Sequence, residues 1–529
     1  MASNPTKIAL ISVTNKNGVI DFAKGLAKLS FKILSTGGTA KLLRDAGISV
    51  TEVADWTKSP EVLGGRVKTL HPMIHGGILA DRTVASHIND MERMGWTGID
   101  VVAVNLYDFA GEAQSKNLIL DKAIEFIDVG GPTMLRAAAK NHLYCLPVID
   151  PTDYNDVLKQ YHDGSPTPQF RRLLASKVFA ATAAYDNMIA KFFAGALTTT
   201  APADSWPQEK IQSLQLQGAL RYGENSHQKA AFYSFSDSPK EGLGAAQFLQ
   251  GKDLSYNNYI DLDAASAIVA DLSPVPSMTI VKHTNPCATA QSQTLSPQDL
   301  FALALSGDPK CAFGGIVASN IPINEQAAHA MNEIFLECVI APDYSPEALA
   351  IFSAKKNLRV LKSNAVLKVG QVKESTVQWR SINGGMLAQT ADAVTQKPTS
   401  WTCVTKAKPT EEMLAELSFA MTLCKHVKSN AILVAAGQKS IGVGAGQMSR
   451  VDSARFALEK AVELGHNVKG AVMASDAFFP FRDTVDTAAK FGIAAIVQPG
   501  GSLRDQESID AANENGLVMM MTHARHFKH

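Results

Sequence analysis

The sequence predicts an α/β protein whose first domain is a largely parallel sheet covered by helices on both faces. Three observations carry this. Short apolar runs alternate with helical patterns through the first third, a glycine pair joins one such run to the helix after it, and the same pattern resumes beyond a proline-bearing stretch. Lys7–Val13 (KIALISV) reads as a strand, Gly18–Leu29 as an amphipathic helix and Phe31–Leu34 as a second strand. Thr36-Gly37-Gly38-Thr39 then opens a helix that runs through Ala46 and stops at Gly47, and Val101–Leu106 (VVAVNL) is another buried strand. Residues 195–207 (GALTTTAPADSWP) lack hydrophobic periodicity and read as a linker. Beyond it Thr279–Lys282 and Gly315–Ala318 look like strand ends, and Ala431–Ala435 and Ile493–Val497 like buried strands. No internal repeat is visible.

Length and composition set the class. At about 150 residues per domain, 529 residues suggest three or four folding units. With 46% hydrophobic and 19% charged residues the chain is globular rather than disordered. Lys+Arg and Asp+Glu are both 50, so no overall field draws nucleic acid or an anionic membrane. The first residues lack a signal-peptide pattern, and no stretch approaches the roughly 18 apolar residues of a membrane span. Six scattered cysteines without a CxxC pair read as reduced thiols of a cytoplasmic protein. No HxE or HExxH pattern accompanies them, so no metal site and no zinc is expected.

Several clusters are too polar for core. The Thr36–Thr39 loop offers a helix N-terminus and two hydroxyls to an anion, although a strand–Gly-Gly–helix turn is also an ordinary connection. Gly64–Pro72 (GGRVKTLHP) adds Arg66, Lys68 and Thr69, which together with the first loop suggest a phosphate cradle. Asp128–Thr133 (DVGGPT) leads into an alanine-rich helix with Lys140 near its end, where a lysine is also a plain C-terminal helix cation. Later, Arg221–His227 (RYGENSH) combines cation, ring and imidazole, and Lys282-His283 directly follows a strand, where α/β sites gather. A lysine beside a histidine opposes its protonation, which suits a neutral base, but an isolated pair is also common on surfaces. Gly442–Gln447 (GVGAGQ) suggests close backbone approach to a ligand, and Ser475–Asp483 (SDAFFPFRD) an aromatic shelf beside polar anchors for a flat heterocycle.

Taken in order, SVTNK, RVKTLHP, DVGGPTMLRAAAKNH, RYGENSHQ, KHTNPC, GVGAGQMSR, SDAFFPFRD and RHFKH resemble the family of bifunctional enzymes that fuse AICAR transformylase to IMP cyclohydrolase. The resemblance spans essentially the whole chain. It implies a methylglyoxal-synthase-like domain over residues 1–198 and a pair of cytidine-deaminase-like α/β subdomains over 199–529. It also implies a homodimer, the substrates AICAR, formyl-AICAR and IMP, and 10-formyltetrahydrofolate as the folate cosubstrate; it admits a monovalent cation. For cyclisation it implies Thr14, Asn15, Lys16, Thr36, Gly37, Gly38, Thr39, Arg66, Lys68, Thr69, Asn105, Leu106 and Val129 around the nucleotide. Tyr107 and Asp128 would lie near the base, with Lys140 moving the proton. For formyl transfer it implies Arg221, Tyr222, His227, Gly314, Glu337, Arg450 and Arg525 on AICAR. His283 would be the general base beside Lys282, Asn430 would orient the formyl group, and Val451, Phe478, Asp483, Gly500 and Gly501 would face folate. Asp108, Ser226 and Ala288 depart from the family pattern and touch loop rigidity rather than any ionisable group. Three other readings stand beside this one. A zinc deaminase would need HxE with PCxxC, of which only Pro286-Cys287 is present. A methylglyoxal-synthase-like lyase would account for the first domain alone. A nucleotide sensor would not need Lys140, Lys282 and His283.

Overall fold

The computed structural model describes residues 7–107, 109, 124–197, 206, 210–235, 242–364, 367, 376–393 and 397–529. Asp108 and most of the 195–207 stretch lie outside them. The chain divides into two compact units, Met1–Gln212 and Ser213–His529.

In the first unit, β1 (Lys7–Ser12), β2 (Phe31–Ser35), β3 (Val50–Glu52), β4 (Val101–Val104) and β5 (Leu146–Val148) form an all-parallel sheet ordered β3-β2-β1-β4-β5. The alternation within β1 shows why it must be covered twice. Ala9 and Ile11 pack with Phe22 and Leu26 on one face, while Ile8 and Leu10 pack with Ile74, Ile78 and Met134 on the other. The strand order reverses between β1 and β4, which opens a crevice beyond their carboxyl ends.

The second unit contains the same plan twice. One six-stranded sheet runs β10 (Asn285–Gln291), β9 (Ser277–Lys282), β11 (Gly315–Ser319), β12 (Leu336–Ala341), β13 (Arg359–Lys362), β8 (Gln247–Gln250). The other runs β18 (Ser440–Gly444), β17 (Ile432–Ala435), β19 (Val472–Ser475), β20 (Ala495–Gln498), β21 (Val518–Met521), β16 (Thr402–Cys403). Each has a tight hairpin at one edge, a parallel trio, and at the other edge an antiparallel strand that comes first in sequence. Only the trios are parallel; β9 and β17 run antiparallel to both of their neighbours, and the β9–β10 and β17–β18 pairs must do so because strands joined by two-residue turns can only pair antiparallel. Helices Tyr256–Leu272 and Glu411–Cys424 share one core with both sheets through residues such as Leu262, Ile268, Leu417 and Met421. The hairpin edges of the two sheets meet, with the Thr289 amide donating to Ser440 Oγ at 2.9 Å. Two further ribbons, β6 (Leu214–Leu220) with β7 (Ala230–Phe235) and β14 (Val377–Ile382) with β15 (Gly385–Thr390), join neither sheet among the described residues.

Candidate active sites

The crevice of the first unit gathers most of the residues expected for cyclisation. Just past β1 the Thr14 amide and hydroxyl donate to Asn105 Oδ1 at 2.6 and 2.8 Å, the Asn15 amide donates to it at 3.1 Å, and Asn105 Nδ2 returns a bond to the Asn15 carbonyl. The Thr14 hydroxyl also lies 3.1 Å from the Leu106 carbonyl. Asn105 stands just past β4, so its amide stitches the two strands together where their order reverses. Lys16 Nζ donates to Thr39 Oγ1 at 2.6 Å and to the Val13 carbonyl, and burial lowers its pKa. Thr36 precedes the helix Gly37–Asp45 without a side-chain capping bond, and its hydroxyl pairs with Ser12 Oγ at 3.1 Å. That helix offers its first N–H groups to the crevice.

The second and third clusters close around the first. A Cβ placed on Gly37 would stand 3.8 Å from Lys68 Nζ, and one on Gly130 only 2.9 Å from Thr69 Oγ1. Lys68 is paired with Glu61 at 3.0 Å, and Arg66 with Glu125. Asp128 receives the Gly131 amide at 2.9 Å, and its own amide takes the Tyr185 hydroxyl oxygen at 2.8 Å. Burial raises the Asp128 carboxyl above its ordinary value, against the pull of the Gly131 and Gly130 amides. Val129 and Tyr107 are exposed beside this rim.

Lys140 is not brought here. It is the last, exposed residue of the helix Gly130–Lys140, about 15 Å along the axis from the end that meets Thr69. The next residue, Asn141, donates to the Ile78 and Ala80 carbonyls at 2.7 and 3.0 Å, at the far end of the helix Pro72–Leu79. The plain reading of Lys140 as a C-terminal helix cation describes its position.

In the second unit, Lys282, His283, Gly314 and Glu337 stand at one end of the first sheet, at the carboxyl end of β9 and the amino ends of β11 and β12. Lys282 Nζ donates to the Phe313 carbonyl at 2.9 Å, and the Gly314 amide to the Phe335 carbonyl at 2.7 Å. Glu337 accepts from Arg359 Nη1 at 2.7 Å. Asn285 joins this end to the other repeat: its Nδ2 donates to the His283 carbonyl at 2.9 Å, and its Oδ1 accepts the Lys428 amide at 2.9 Å. Two residues further on, Asn430 lines a cavity of about 330 Å³ with Arg450, Val451, Phe478, Phe481 and Asp483.

Two family models match the chain. The model of an AICARFT/IMPCHase bienzyme matches residues 138–460, and that of an MGS-like domain residues 18–133. A bifunctional purine biosynthesis protein PurH from Nostoc sp. is 49% identical over 99% of this chain and 100% of its own length. The chain belongs to the AICARFT/IMPCHase bienzyme family. The PurH of Anoxybacillus flavithermus is 48% identical over 98% of this chain and 99% of its own. A solved structure titled "Crystal structure of ForH" matches 36% of this chain and 98% of that one, at 38% identity and a TM-score of 0.32.

For a member of the bienzyme family, several side chains sit differently from what their residue types suggest. Arg450 is not a free cation: its Nη1 donates to buried Asp476 and to Ser475 Oγ at 2.8 Å, and its Nη2 donates to Asn430 Oδ1 at 2.8 Å. Both Asn430 Nδ2 hydrogens are also used, on the Gln447 and Met448 carbonyls at 2.9 and 3.1 Å. Asn430 is thereby fixed and presents only spare acceptor capacity. Arg482 pairs with Asp486 and Glu514 rather than with either carboxylate of its motif. Gly442 and Gly444 serve a helix, not a ligand: Cβ atoms there would lie 2.2 and 2.1 Å from the carbonyls of Ala457 and Ser453 in the helix Arg450–Glu463. Gly500 and Gly501 lie outside the cavity lining, in a loop where the Gly501 amide donates to Asp505. Arg525 stacks 4.4 Å from Phe527, a lining residue, and Arg221 5.5 Å from its neighbour Tyr222. His227 is exposed within the Gly223–Gln228 turn. Asp261 and Arg359 lie in no motif, and Asn285 and Asp476, although inside KHTNPC and SDAFFPFRD, are picked out only by their partners across the fold. Among the described residues no group of three or more His, Cys, Asp or Glu stands ready to hold a metal, and no helix is long and apolar enough to cross a membrane.

Proposed function

We propose that the two activities of this bifunctional purine-biosynthesis family are divided between the two units. Cyclisation of formyl-AICAR to IMP belongs to Met1–Gln212, and formyl transfer from 10-formyltetrahydrofolate to AICAR belongs to Ser213–His529. The observation that carries this is the presence of a separate polar constellation in each unit, one at the β1/β4 crevice and one at the carboxyl end of β9.

The chemistry suits these places. The AICAR amine is delocalised into the neighbouring carboxamide, so attack on the formyl carbon requires proton removal and close alignment. His283 is the base, with Lys282 beside it, and Asn430 accepts a hydrogen bond at the edge of the folate cavity. Arg450 acts by holding Asn430 rather than by meeting an anion. In cyclisation the carboxamide nitrogen already lies near the formyl carbon, so the site holds that conformer and moves protons as water leaves. The anion site at the N-terminus of the helix Gly37–Asp45, with Lys16 and Arg66, takes the ribose phosphate. Lys68 and Asp128 take over the proton-moving role that the resemblance gives Lys140, because they face the crevice and Lys140 does not. Supplied with AICAR and 10-formyltetrahydrofolate, the chain should yield IMP. Lys68→Ala should accumulate formyl-AICAR, with cyclisation down about 10²–10⁴-fold, while Lys140→Ala should cyclise near the wild-type rate. The reverse pattern would return the role to Lys140.

We also propose a homodimer assembled through the second unit, and a cytoplasmic location.

A further inference from the structure

We propose that Asp261 is a positioning residue for formyl transfer, its carboxylate holding the left-handed hairpin turn that presents His283. The inference rests on the assignment of His283 as the base.

The turn between β9 and β10 consists of His283 and Thr284 alone, with Lys282 paired to Asn285. Two-residue hairpin turns that match strand twist place both residues at positive φ, and Asn-Gly or Gly-Gly normally fill them. Here φ is 51° at His283 and 65° at Thr284. A β-branched residue is an outlier in that region, so the conformation needs outside support. Asp261 supplies it. Its Oδ1 accepts the Thr284 amide at 2.7 Å, and the His283 amide faces the same carboxylate. One helical turn earlier on the same face, Asn257 Nδ2 donates to the Glu224 carbonyl at 3.3 Å. A single helix face thus holds both the Arg221–His227 loop and the His283 turn.

The second repeat supplies an internal control. Asp261 is the sixth residue of the helix Tyr256–Leu272, and Glu416 is the sixth of the corresponding helix Glu411–Cys424. Glu416 accepts the Gln438 amide at 3.0 Å on each oxygen, beneath the turn Gly437–Gln438, whose φ values are 65° and 58°. The device therefore belongs to the fold. What differs is the occupant: the second repeat has glycine at the first left-handed position, and the first repeat replaces it with the imidazole. Left-handed geometry that glycine adopts unaided has to be imposed on His283 and Thr284.

The test uses the full chain, with cyclisation of formyl-AICAR as a check on folding. Asp261→Ala should lower the kcat of formyl transfer by about 10–100-fold with a much smaller change in the KM for AICAR, the split of a misplaced base rather than of lost binding. Asp261→Asn should recover most of that loss, since its Oδ1 still accepts the Thr284 amide. Adding Thr284→Gly to Asp261→Ala should also recover activity, because glycine takes positive φ by itself. Glu416→Ala should leave formyl transfer near wild type. Equal losses in Asp261→Ala and Glu416→Ala, or full activity in Asp261→Ala while His283→Ala is inactive, would overturn the proposal. Full activity in His283→Ala would instead remove the underlying assignment of the base.

Discussion

Asp128 is the clearest case of a side chain whose chemistry comes from where it is held. Burial favours its neutral form, and the amides of Gly131 and Gly130 offset this only in part, so its carboxyl is raised from its ordinary value. If cyclisation uses the ionised form, its rate should fall on the acid side at a pH raised in the same direction, and Asp128→Asn should lack this limb while turning over more slowly at neutral pH. The sign for stability is opposite. A raised acid binds its proton more tightly when folded, so wild-type stability should decline relative to Asp128→Asn as pH rises from the ordinary carboxylate value through the raised one. A rate profile without an acid limb would remove Asp128 from proton transfer. At this scale residue types were legible in the sequence, but partners were not. Arg450 reads as an anion-binding cation, yet Asp476, twenty-six positions on and fully buried, has claimed it. Burying that carboxylate without its arginine would cost roughly 3–5 kcal/mol, which is why the pair stays together.

At the level of elements, strands and their order of appearance were readable, because runs such as Ile8–Ile11 and Val101–Val104 are buried on both faces and leave no polar alternation. Helix length was the missing quantity for Lys140. The motif DVGGPTMLRAAAKNH looks like one cluster in sequence, but eleven residues of helix carry its two ends to opposite ends of the strands. The glycines of GVGAGQ are likewise ambiguous in sequence, where a close helix and a close ligand leave the same mark. Ribbons raise a different question. Leu216, Tyr233 and Phe235 on β6–β7, and Ile382, Met386 and Leu387 on β14–β15, are each about half exposed or more. A two-stranded ribbon with such a surface is marginal by itself in water. The proposed second copy would cover it, through an interface beyond roughly 2,000 Å² as permanent dimers have. Sedimentation or light scattering should therefore show a dimer at assay concentration, and a fully active monomer would exclude it.

On the scale of the whole molecule, the duplication of the second unit was legible only through the family resemblance and not as a repeat, because it survives in topology rather than in residues. The hairpin–trio–edge order, the two core helices and the acidic sixth residue recur, while Lys282-His283-Thr284-Asn285 has become Ala436-Gly437-Gln438-Lys439. In the proposed division of roles, one copy carries the reacting imidazole while the other, through Asn430 and the Phe478 cavity, faces the donor. The first unit needs neither. The central claim is that the two reactions run at two sites in separately folded units, and soluble His283→Ala tests it most directly when both reactions are assayed on the same preparation. The account predicts that formylation of AICAR falls by about 10²–10⁴-fold, the usual contribution of a general base, while supplied formyl-AICAR is still converted to IMP at the wild-type rate. Loss of both reactions together in a folded, dimeric variant would contradict it.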